Sequence, residues 1–253
     1  MFDLNIGLLK YFFSDITYDL DLPPYVLIPA ILAVCVVGYL FGSINSAIIV
    51  SKTLFHEDIR TKGSGNAGMT NIQRTYGNGP ALLTLVGDLG KTALALLFAG
   101  VLFGFQYVGG ISTSNFVYVA GLFAVLGHVF PVYYKFKGGK GVLATATMAL
   151  ILAPIVFLIL FAIFVAIVYF SRYVSLGSVS VAVLLPIVVD GYFKVVFGGA
   201  EITTPAPAFV SLSCIVIACL IVWCHRENLQ RIGNRTERKL SFKKKKQDDE
   251  EQA

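Results

Sequence analysis

Long apolar runs alternate with short polar stretches along most of the chain. Seven apolar segments occur, at approximately residues 26–50, 80–104, 115–132, 142–152, 155–170, 175–190 and 207–224. Because about 20 apolar residues in a helix cross a bilayer, the pattern predicts an all-α integral membrane protein, a compact bundle of about seven transmembrane helices, some of them short. The fourth segment predicts either a half-length helix that breaks at Pro154 or a re-entrant pair with the fifth segment.

The composition excludes the usual soluble classes. Of the 253 residues, 56% are hydrophobic and 14% are charged, and the mean hydropathy is +0.75. Soluble domains carry about 25% charged residues, so neither a soluble globular enzyme nor a disordered chain fits. The four cysteines lie inside apolar runs without a C-x-x-C pattern, which favours small apolar packing residues over a disulfide framework or a metal site.

Basic residues are concentrated on one side of the predicted bundle. The net charge is +5, and the segments that share one face of a seven-helix arrangement hold 17 of the 20 lysines and arginines; these segments are 52–78, 131–141, 171–174 and 225–253. Lysine and arginine collect in cytoplasmic loops. We therefore expect this face to be cytoplasmic, with the N-terminus outside and the C-terminus in the cytoplasm.

The same pattern predicts one membrane domain with a flanking segment at each end. Residues 1–25 are expected to form an extracytoplasmic extension, residues 26–224 the membrane domain and residues 225–253 a cytoplasmic tail. The run Lys243–Lys246, followed by four acidic residues, predicts a disordered end over 241–253. Contact between those lysines and anionic lipid is the alternative to a plain solvated tail.

The first basic loop is rich in glycine and small polar residues. Three glycines within six residues allow backbone amides to converge on an anion, and an arginine can bind two phosphate oxygens. An ordinary flexible loop is the alternative, and the Walker A spacing is absent. The residues that favour a phosphate site are Gly63, Ser64, Gly65, Asn66, Gly68, Thr70, Asn71 and Arg74.

A second basic loop, directly before the fourth apolar segment, repeats this combination. Lys137, Gly138, Gly139, Lys140 and Gly141 follow one another, and glycines beside lysines at a helix start favour an anion through backbone amides, the helix dipole and ammonium charge. The preference for cytoplasmic lysines explains the lysines but not the glycines. Two such loops on one face therefore predict a phosphate-handling site.

Further polar residues lie at the ends of the last two segments. Ser175 and Ser178 stand where the sixth segment begins, and serines in that position are commonly helix caps. His225 and Asn228 follow the last segment with a spacing of three, which places them on one face of a continuing helix. They are either interfacial residues or part of the site.

Ionisable residues also occur within the second and third segments. Asp88 and Lys91 are three residues apart, can form an ion pair, and should face the protein interior because charges are costly in lipid. This pair predicts either helix docking or a relay to a functional site. His128 ends the third segment, and both a structural and a catalytic role remain open for it.

These motifs together resemble the bacterial acyl-phosphate:glycerol-3-phosphate acyltransferase family (PlsY). The resemblance covers roughly residues 30–240 in the right order. Met69 and Gly177 stand where the family usually has alanine, and Asn45 where proline or another residue is frequent, but none of these departures removes a donor. The motifs that carry the resemblance are Gly42-Ser43-Ile44, the stretch from Asp58-Ile59-Arg60 through GSGNAGMTN to Arg74, Gly127-His128-Val129-Phe130-Pro131 with KFKGGKG, VSLGS and HREN.

The resemblance implies an enzyme of phospholipid biosynthesis in the bacterial plasma membrane, with a compact fold of seven helices and its active site on the cytoplasmic face. The implied reaction moves a fatty acyl group from acyl phosphate to the sn-1 hydroxyl of glycerol 3-phosphate, giving lysophosphatidic acid and phosphate. It implies no metal or other cofactor. We expect membrane lipid as surroundings, no nucleic acid and no obligatory protein partner.

The resemblance and the loop patterns together nominate the site. Residues 225–240 are expected to belong to the active site, whereas the tail beyond them is expected to lie outside it. Catalytic roles are expected for Ser64, Asn66, Arg74, Lys140, Ser178, His225 and Asn228. Roles in binding phosphate or substrate are expected for Gly63, Gly65, Gly68, Thr70, Asn71, His128, Lys137, Gly138, Gly139 and Gly141.

Two other classes of protein deserve comparison with this hypothesis. A transporter for phosphorylated metabolites would use the basic loops as a vestibule, but residues 92–134, 141–171 and 173–189 contain no Asp, Glu, Lys or Arg, which leaves little for a polar pathway at the midplane. A membrane scaffold that binds anionic lipid through its tail would leave the loop glycines unexplained.

Overall fold

The computed structural model describes residues 7–12, 22–108, 111–112, 114–197 and 208–240. These ranges are almost entirely helical, and one antiparallel hairpin joins two short strands, β1 (Tyr107–Val108) and β2 (Ile111–Ser112). The helices are α1 (Leu8–Phe12), α2 (Pro24–Ser43), α3 (Ser46–Phe55), α4 (Met69–Tyr76), α5 (Asn78–Phe103), α6 (Asn115–Val129), α7 (Val142–Leu152), α8 (Pro154–Ser171), α9 (Val174–Phe197), α10 (Ala208–Cys224) and α11 (Arg226–Gly233).

The helices confirm the predicted class of helical membrane bundle. Within the described ranges, five spans are long and apolar enough to cross a bilayer, and α10 with α11 makes a sixth that is bent by 51°. The fourth apolar segment forms α7 alone, because α7 ends at Leu152 and α8 begins at Pro154. Proline suits the first turn of a helix, so the predicted break at Pro154 is present and the fourth segment forms a short helix of its own.

The first apolar segment is two helices rather than the single one expected. The chain leaves helical geometry at Ile44 and Asn45. Asn45 causes the break, since its side-chain oxygen accepts a 3.0 Å hydrogen bond from the Ile48 amide and so caps the start of α3. Its amide donates to the Ala67 carbonyl at 3.3 Å, which ties the break to the first basic loop.

Helix α6 occupies the centre of the bundle and packs against α2, α5, α7 and α10. Its contact with α2 is close: a Cβ atom at Gly42 would overlap the Ala124 carbonyl, and one at Gly127 would overlap the Tyr39 carbonyl. Small residues allow this approach between membrane helices. Helix α8 lies at the periphery and presents outward the large apolar side chains of Leu158, Ile159, Phe161, Val165, Tyr169 and Phe170.

The two terminal segments pack against the bundle where they are described. Helix α1 contacts α5, and Gly7 lies against the backbone at Gly104. After α11 the chain returns toward the start of α9, where the Leu240 amide donates to the Arg172 carbonyl at 2.8 Å. The expected disordered end, 241–253, lies outside the described residues, as does most of the extension over 1–25.

Candidate active site

The two glycine-rich loops lie side by side, and Arg60 joins them. Its guanidinium pairs with Asp58 at 2.7 Å and donates to the Tyr134 carbonyl at 2.8 Å and the Lys137 carbonyl at 3.2 Å. A cavity of about 420 Å³ opens where the loops meet, with three cationic side chains in its wall. Its lining residues are Asp58, Arg60, Thr61, Gly65, Lys135, Lys137 and Gly138.

Asn71 holds the first loop in shape. Its side chain is buried, and its oxygen accepts from the Ser64 amide at 3.0 Å. Its amide group donates to the carbonyls of Lys62 and Asn66, both at 3.0 Å, and to that of Ile59 at 3.2 Å. These contacts use the donors and acceptor of the side chain. Asn71 is therefore a clamp of the loop, whereas the sequence suggested direct substrate contact.

The loop amides are less free than the glycine pattern predicted. The amides of Ser64, Gly65 and Gly68 donate within the loop to Asn71, Lys62 and Asn66, so a nest made of those amides is a prediction that the structure corrects. The glycines are instead needed for the backbone conformation of the loop, because Gly63 and Gly65 have φ of 57° and 71°, in the left-handed region that glycine adopts without strain. Among the described residues, the backbone amides that remain as donors belong to the loop residues Gly63, Asn66 and Ala67 and to Met69 and Thr70 at the start of α4.

The second loop is seated on the end of α6 in the same way. The Gly138 and Gly139 amides donate to the Val129 and His128 carbonyls, each at 3.1 Å. Gly141, at φ 79°, then turns the chain into α7. The amide of Lys140 and those of the first turn of α7 have no backbone partner in the described chain. Together with the helix dipole they provide a positive site beside the cavity lined by Arg60, Lys137 and Gly138, which we call the seam between the loops.

A charged network joins the second loop to the C-terminal segment. Lys140 donates to the Asn228 side-chain oxygen, and Asn228 donates to Glu237 Oε1 at 2.6 Å. Glu237 Oε1 also accepts from Ser175 at 2.9 Å, and its Oε2 pairs with Arg231 at 2.8 Å. The Glu237 carboxylate therefore binds the start of α9 and two residues of α11, and Asn228 links it to Lys140 of the second loop.

The charges of this network change the acid–base properties of its members. Burial tends to raise the pKa of Glu237, but the hydrogen bonds from Asn228, Arg231 and Ser175 outweigh burial and lower the pKa below its usual value. Burial and then the nearby Arg231 lower the pKa of Lys140. Lys140 is thus a partly desolvated cation that gains from an anionic ligand.

Arg74, on α4, is electrostatically coupled to the network. Surrounding protein and then the positive charge of Arg238 lower the pKa of its guanidinium, while Glu237 opposes them. Within the described residues, Arg74 has no carboxylate within salt-bridge distance and makes no side-chain hydrogen bond. Its five donors are therefore available to a phosphate group.

His225 and Ser178 are buried at the same end of the bundle, each with a local hydrogen bond. His225 Nδ1 lies 2.8 Å from the Ile221 carbonyl, which makes Nδ1 the protonated nitrogen and leaves Nε2 as an acceptor. The Ser178 hydroxyl donates to the Val174 carbonyl at 2.9 Å, so Ser178 can still accept one hydrogen bond from a ligand.

Beneath the loops lies a buried polar cluster around Lys91. The Lys91 ammonium is 2.8 Å from Asp88, 2.7 Å from the Ile44 carbonyl and 2.9 Å from His128 Nδ1. The Asp88–Lys91 pair thus docks α5 onto the break between α2 and α3, as the first of the two sequence interpretations expected. It also reaches His128, on which the second loop rests.

Most of the predicted site residues lie at this end of the bundle. Ser64 on the first loop and Thr70 at the start of α4 are exposed, with hydroxyls that make no hydrogen bond among the described residues, and Asn66 is half-buried. Sequence reasoning assigned Arg60, Ser175 and Glu237 no individual role in the site, although each lies within a motif or segment that was assigned to it. For Arg60, the neighbouring Asp58 could have indicated a fixed ion pair. For Glu237, an acidic residue within a strongly basic segment could have indicated a structural carboxylate.

Comparison with known proteins assigns this arrangement to a family. The family model described as glycerol-3-phosphate acyltransferase matches residues 32–235. The chain belongs to this family. The prediction of an acyltransferase enzyme from the sequence is thereby confirmed, as is that of a multi-pass membrane protein.

Individual relatives of this acyltransferase match along most of their length. The glycerol-3-phosphate acyltransferase of Syntrophomonas wolfei is 42% identical over 212 residues, which cover 83% of this chain and 97% of the relative. That of Paraburkholderia phytofirmans is 37% identical, with 85% and 92% covered. A crystal structure of PlsY (YgiH), an integral membrane glycerol 3-phosphate acyltransferase in its glycerol 3-phosphate form, superposes with a TM-score of 0.69 at 33% identity and covers 83% of this chain and 96% of its own.

Proposed function

We propose that this acyltransferase moves a fatty acyl group from acyl phosphate to the sn-1 hydroxyl of glycerol 3-phosphate, giving lysophosphatidic acid and inorganic phosphate. The acceptor and product agree with related structures, which are described as glycerol 3-phosphate and lysophosphatidic acid forms. The observation that supports acyl phosphate as donor is the presence of two separate cationic regions, because this donor and this acceptor each carry one phosphate group.

The first region is the seam between the glycine loops, and we assign the donor's phosphate to it. Arg60 and Lys137 line its cavity, and the Lys140 amide and the first-turn amides of α7 follow directly on its second loop. The seam is fixed by hydrogen bonds from Arg60 to the second loop, which suits a group that must leave in a defined direction. The apolar surface of the flanking helices can take the acyl chain from the bilayer.

The second region takes glycerol 3-phosphate. Arg74 and Lys140 supply positive charge for its phosphate, and Asn228 is held beside Lys140. His225, which presents Nε2 as an acceptor, binds a glycerol hydroxyl, and Ser178 orients the glycerol. Charge-assisted hydrogen bonds of this kind are the stronger class in proteins, so they can fix the acceptor beside the acyl carbonyl.

Acyl transfer then proceeds in one direct displacement. The sn-1 oxygen forms a bond to the carbonyl carbon, the bond from that carbon to the phosphate oxygen breaks, and the hydroxyl proton passes to an oxygen of the substrate's phosphate. Holding the two reactants together contributes up to about 7–11 kcal/mol. A donor at the developing oxyanion contributes about 3–4 kcal/mol more.

A covalent route through Ser64 is the alternative mechanism, because its exposed hydroxyl belongs to the site. Mass spectrometry of the protein after incubation with acyl phosphate alone separates the two routes. Direct transfer leaves the peptide that contains Ser64 unmodified, whereas a stable acyl ester on Ser64 would establish the covalent route.

The reaction is proposed to occur on the cytoplasmic face, with the N-terminus outside. The concentration of 17 of 20 basic residues in segments of one face supports this orientation. A membrane-impermeant amine reagent tests it through two exposed lysines. Lys239 should react only in inverted membrane vesicles and Lys194 only in intact spheroplasts, and the reverse pattern would overturn the orientation.

The identity of the acyl donor is tested with purified protein, glycerol 3-phosphate and three candidate donors: acyl phosphate, acyl-CoA and the acyl thioester of acyl carrier protein. We expect lysophosphatidic acid and phosphate in equal amounts from acyl phosphate, and no product from the two thioesters. An Arg74→Ala variant provides the site control. Product from a thioester at the rate seen with acyl phosphate would contradict the proposal.

A further inference from the structure

The buried cluster around Lys91 fixes more than the packing of helices. The Lys91 and Asp88 side chains are each 2% exposed, and three acceptors surround the Lys91 ammonium within 2.9 Å: Asp88 Oδ1, the Ile44 carbonyl and His128 Nδ1. An ammonium has three N–H donors and no lone pair. Asp88 Oδ1, 2.8 Å away, supplies the counter-charge for the ammonium inside the bundle.

The ammonium dictates which nitrogen of His128 carries the proton. Since Lys91 Nζ can only donate, Nδ1 of His128 has to accept, and in a neutral imidazole the proton then resides on Nε2. His225 has the opposite arrangement, because its Nδ1 donates to the Ile221 carbonyl. The two buried histidines of the site thus present a donor and an acceptor, respectively, at Nε2.

His128 Nε2 lies where the two glycine loops meet. A Cβ atom at Gly139 would overlap Nε2 and would stand 2.8 Å from the Ala67 carbonyl, so the ring edge lies against Gly139 of the second loop, and the Ala67 carbonyl of the first loop approaches the same residue. Within the described residues, Nε2 makes no hydrogen bond. The structure therefore presents a donor at the seam that has no protein acceptor.

We propose that Lys91 is a positioning residue that fixes His128 as a neutral Nε2–H donor to a phosphate oxygen of the acyl phosphate held at the seam. This assignment rests on the proposed function. In the other tautomer a lone pair would face the anion and repel it. With Nε2 as donor, the ring adds a hydrogen bond without placing a further charge in the buried interior.

Histidine spectroscopy tests the tautomer without reference to activity. The protein is labelled with ¹⁵N-histidine in detergent micelles, and its three histidines are distinguished through His56→Asn and His225→Asn variants. We expect the ¹⁵N shifts of His128 to report a protonated Nε2 and an unprotonated Nδ1. In Lys91→Met this pattern should be lost, while His225 keeps its own tautomer. A protonated Nδ1 in the unmodified protein would overturn the proposal.

Two substitutions of His128 separate a donor at Nε2 from a merely structural ring. The amide nitrogen of glutamine reaches the position of Nε2, whereas the asparagine side chain reaches only that of Nδ1, where its oxygen can still accept from Lys91. We expect His128→Gln to retain at least 10-fold more kcat/KM for acyl phosphate than His128→Asn, at equal thermal stability. Equal activities, or the reverse order, would show that the ring only accepts from Lys91.

The two experiments also distinguish this inference from the proposed function. If the unmodified protein fails to use acyl phosphate, the donor assignment fails, and the spectroscopic result still decides the tautomer. If acyl phosphate is used but His128→Gln and His128→Asn behave alike, the proposed function stands and the role of His128 as a donor is wrong.

Discussion

The two halves of the site are built on different physical principles. At the seam, backbone hydrogen bonds and the Asn71 clamp fix two glycine loops into one shape. In the C-terminal half, side-chain charges converge, with Lys140, Asn228 and Arg231 arranged around Glu237. The first half therefore depends on steric fit and the second on charge. Substitutions that add volume should damage the first half, and substitutions that remove charge should damage the second.

The largest effect is expected where steric fit is tightest. In Gly139→Ala the added Cβ overlaps His128 and crowds the Ala67 carbonyl, so the loops must separate. A displacement of about 1 Å in a catalytic arrangement can cost about 100-fold, and we expect kcat/KM for acyl phosphate to fall by about that factor in a steady-state assay.

Gly79→Ala is the matched control for that variant, because nothing lies within 4 Å of a Cβ atom at Gly79. It should retain the activity of the unmodified protein. Comparable losses in both variants would show that the seam has no special steric requirement.

The next largest effect is expected on the binding of glycerol 3-phosphate, in the C-terminal half of the site. Arg74→Ala removes a cation that has no protein partner among the described residues, and a hydrogen bond to a charged group is worth about 1.5–3 kcal/mol. The KM for glycerol 3-phosphate should therefore rise by roughly 10- to 100-fold.

Arg226→Ala serves as the control for charge alone. Arg226 is exposed, its guanidinium lies over the Trp223 ring at 4.5 Å and donates to the Trp223 carbonyl, and in the described chain it makes no hydrogen bond to Asn228 or Glu237. Its loss should leave the KM for glycerol 3-phosphate unchanged, and an Arg74→Ala variant with an unaltered KM would remove Arg74 from the site.

The sequence predicted the helices and the two loops because hydropathy and glycine content are properties of contiguous segments. It did not predict contacts that depend on distant residues. Ser175 and Glu237 are 62 residues apart, and Lys140 and Asn228 are 88 apart. An asparagine such as Asn71 looks the same in a sequence whether it binds a ligand or the loop itself, so only the folded chain reveals the clamp.

A smaller effect, on stability rather than on charge recognition, is expected at that clamp. Asn71→Asp keeps the acceptor for the Ser64 amide but turns a carboxylate oxygen toward the three carbonyls that now accept from Asn71. Leaving such buried groups unsatisfied costs about 1–3 kcal/mol. Thermal unfolding in detergent should occur at a lower temperature, with the first loop the earliest region to lose protection from hydrogen exchange.

Gln73→Glu introduces the same charge at an exposed position of the same helix, α4. It should leave the unfolding temperature close to that of the unmodified protein. An Asn71→Asp variant as stable as Gln73→Glu would contradict the clamp.

The smallest effect is the pH dependence that Glu237 contributes. Its hydrogen bonds lower its pKa in the folded protein, so it adds stability above the ordinary carboxyl pKa, and that stability is lost as the pH falls through the lowered value. Glu237→Gln should be less stable than the unmodified protein at pH 7. The difference should shrink in acid, and a difference that grows as the pH falls would contradict this assignment.

Two lysines of one loop offer the most direct test of separate anion sites. Lys137 lines the seam cavity, whereas Lys140 contacts Asn228 in the charged network. Two-substrate steady-state kinetics of Lys137→Gln and Lys140→Gln measure both KM values for each variant. We expect a raised KM for acyl phosphate in Lys137→Gln and a raised KM for glycerol 3-phosphate in Lys140→Gln. An increase for the same substrate in both variants would contradict this expectation.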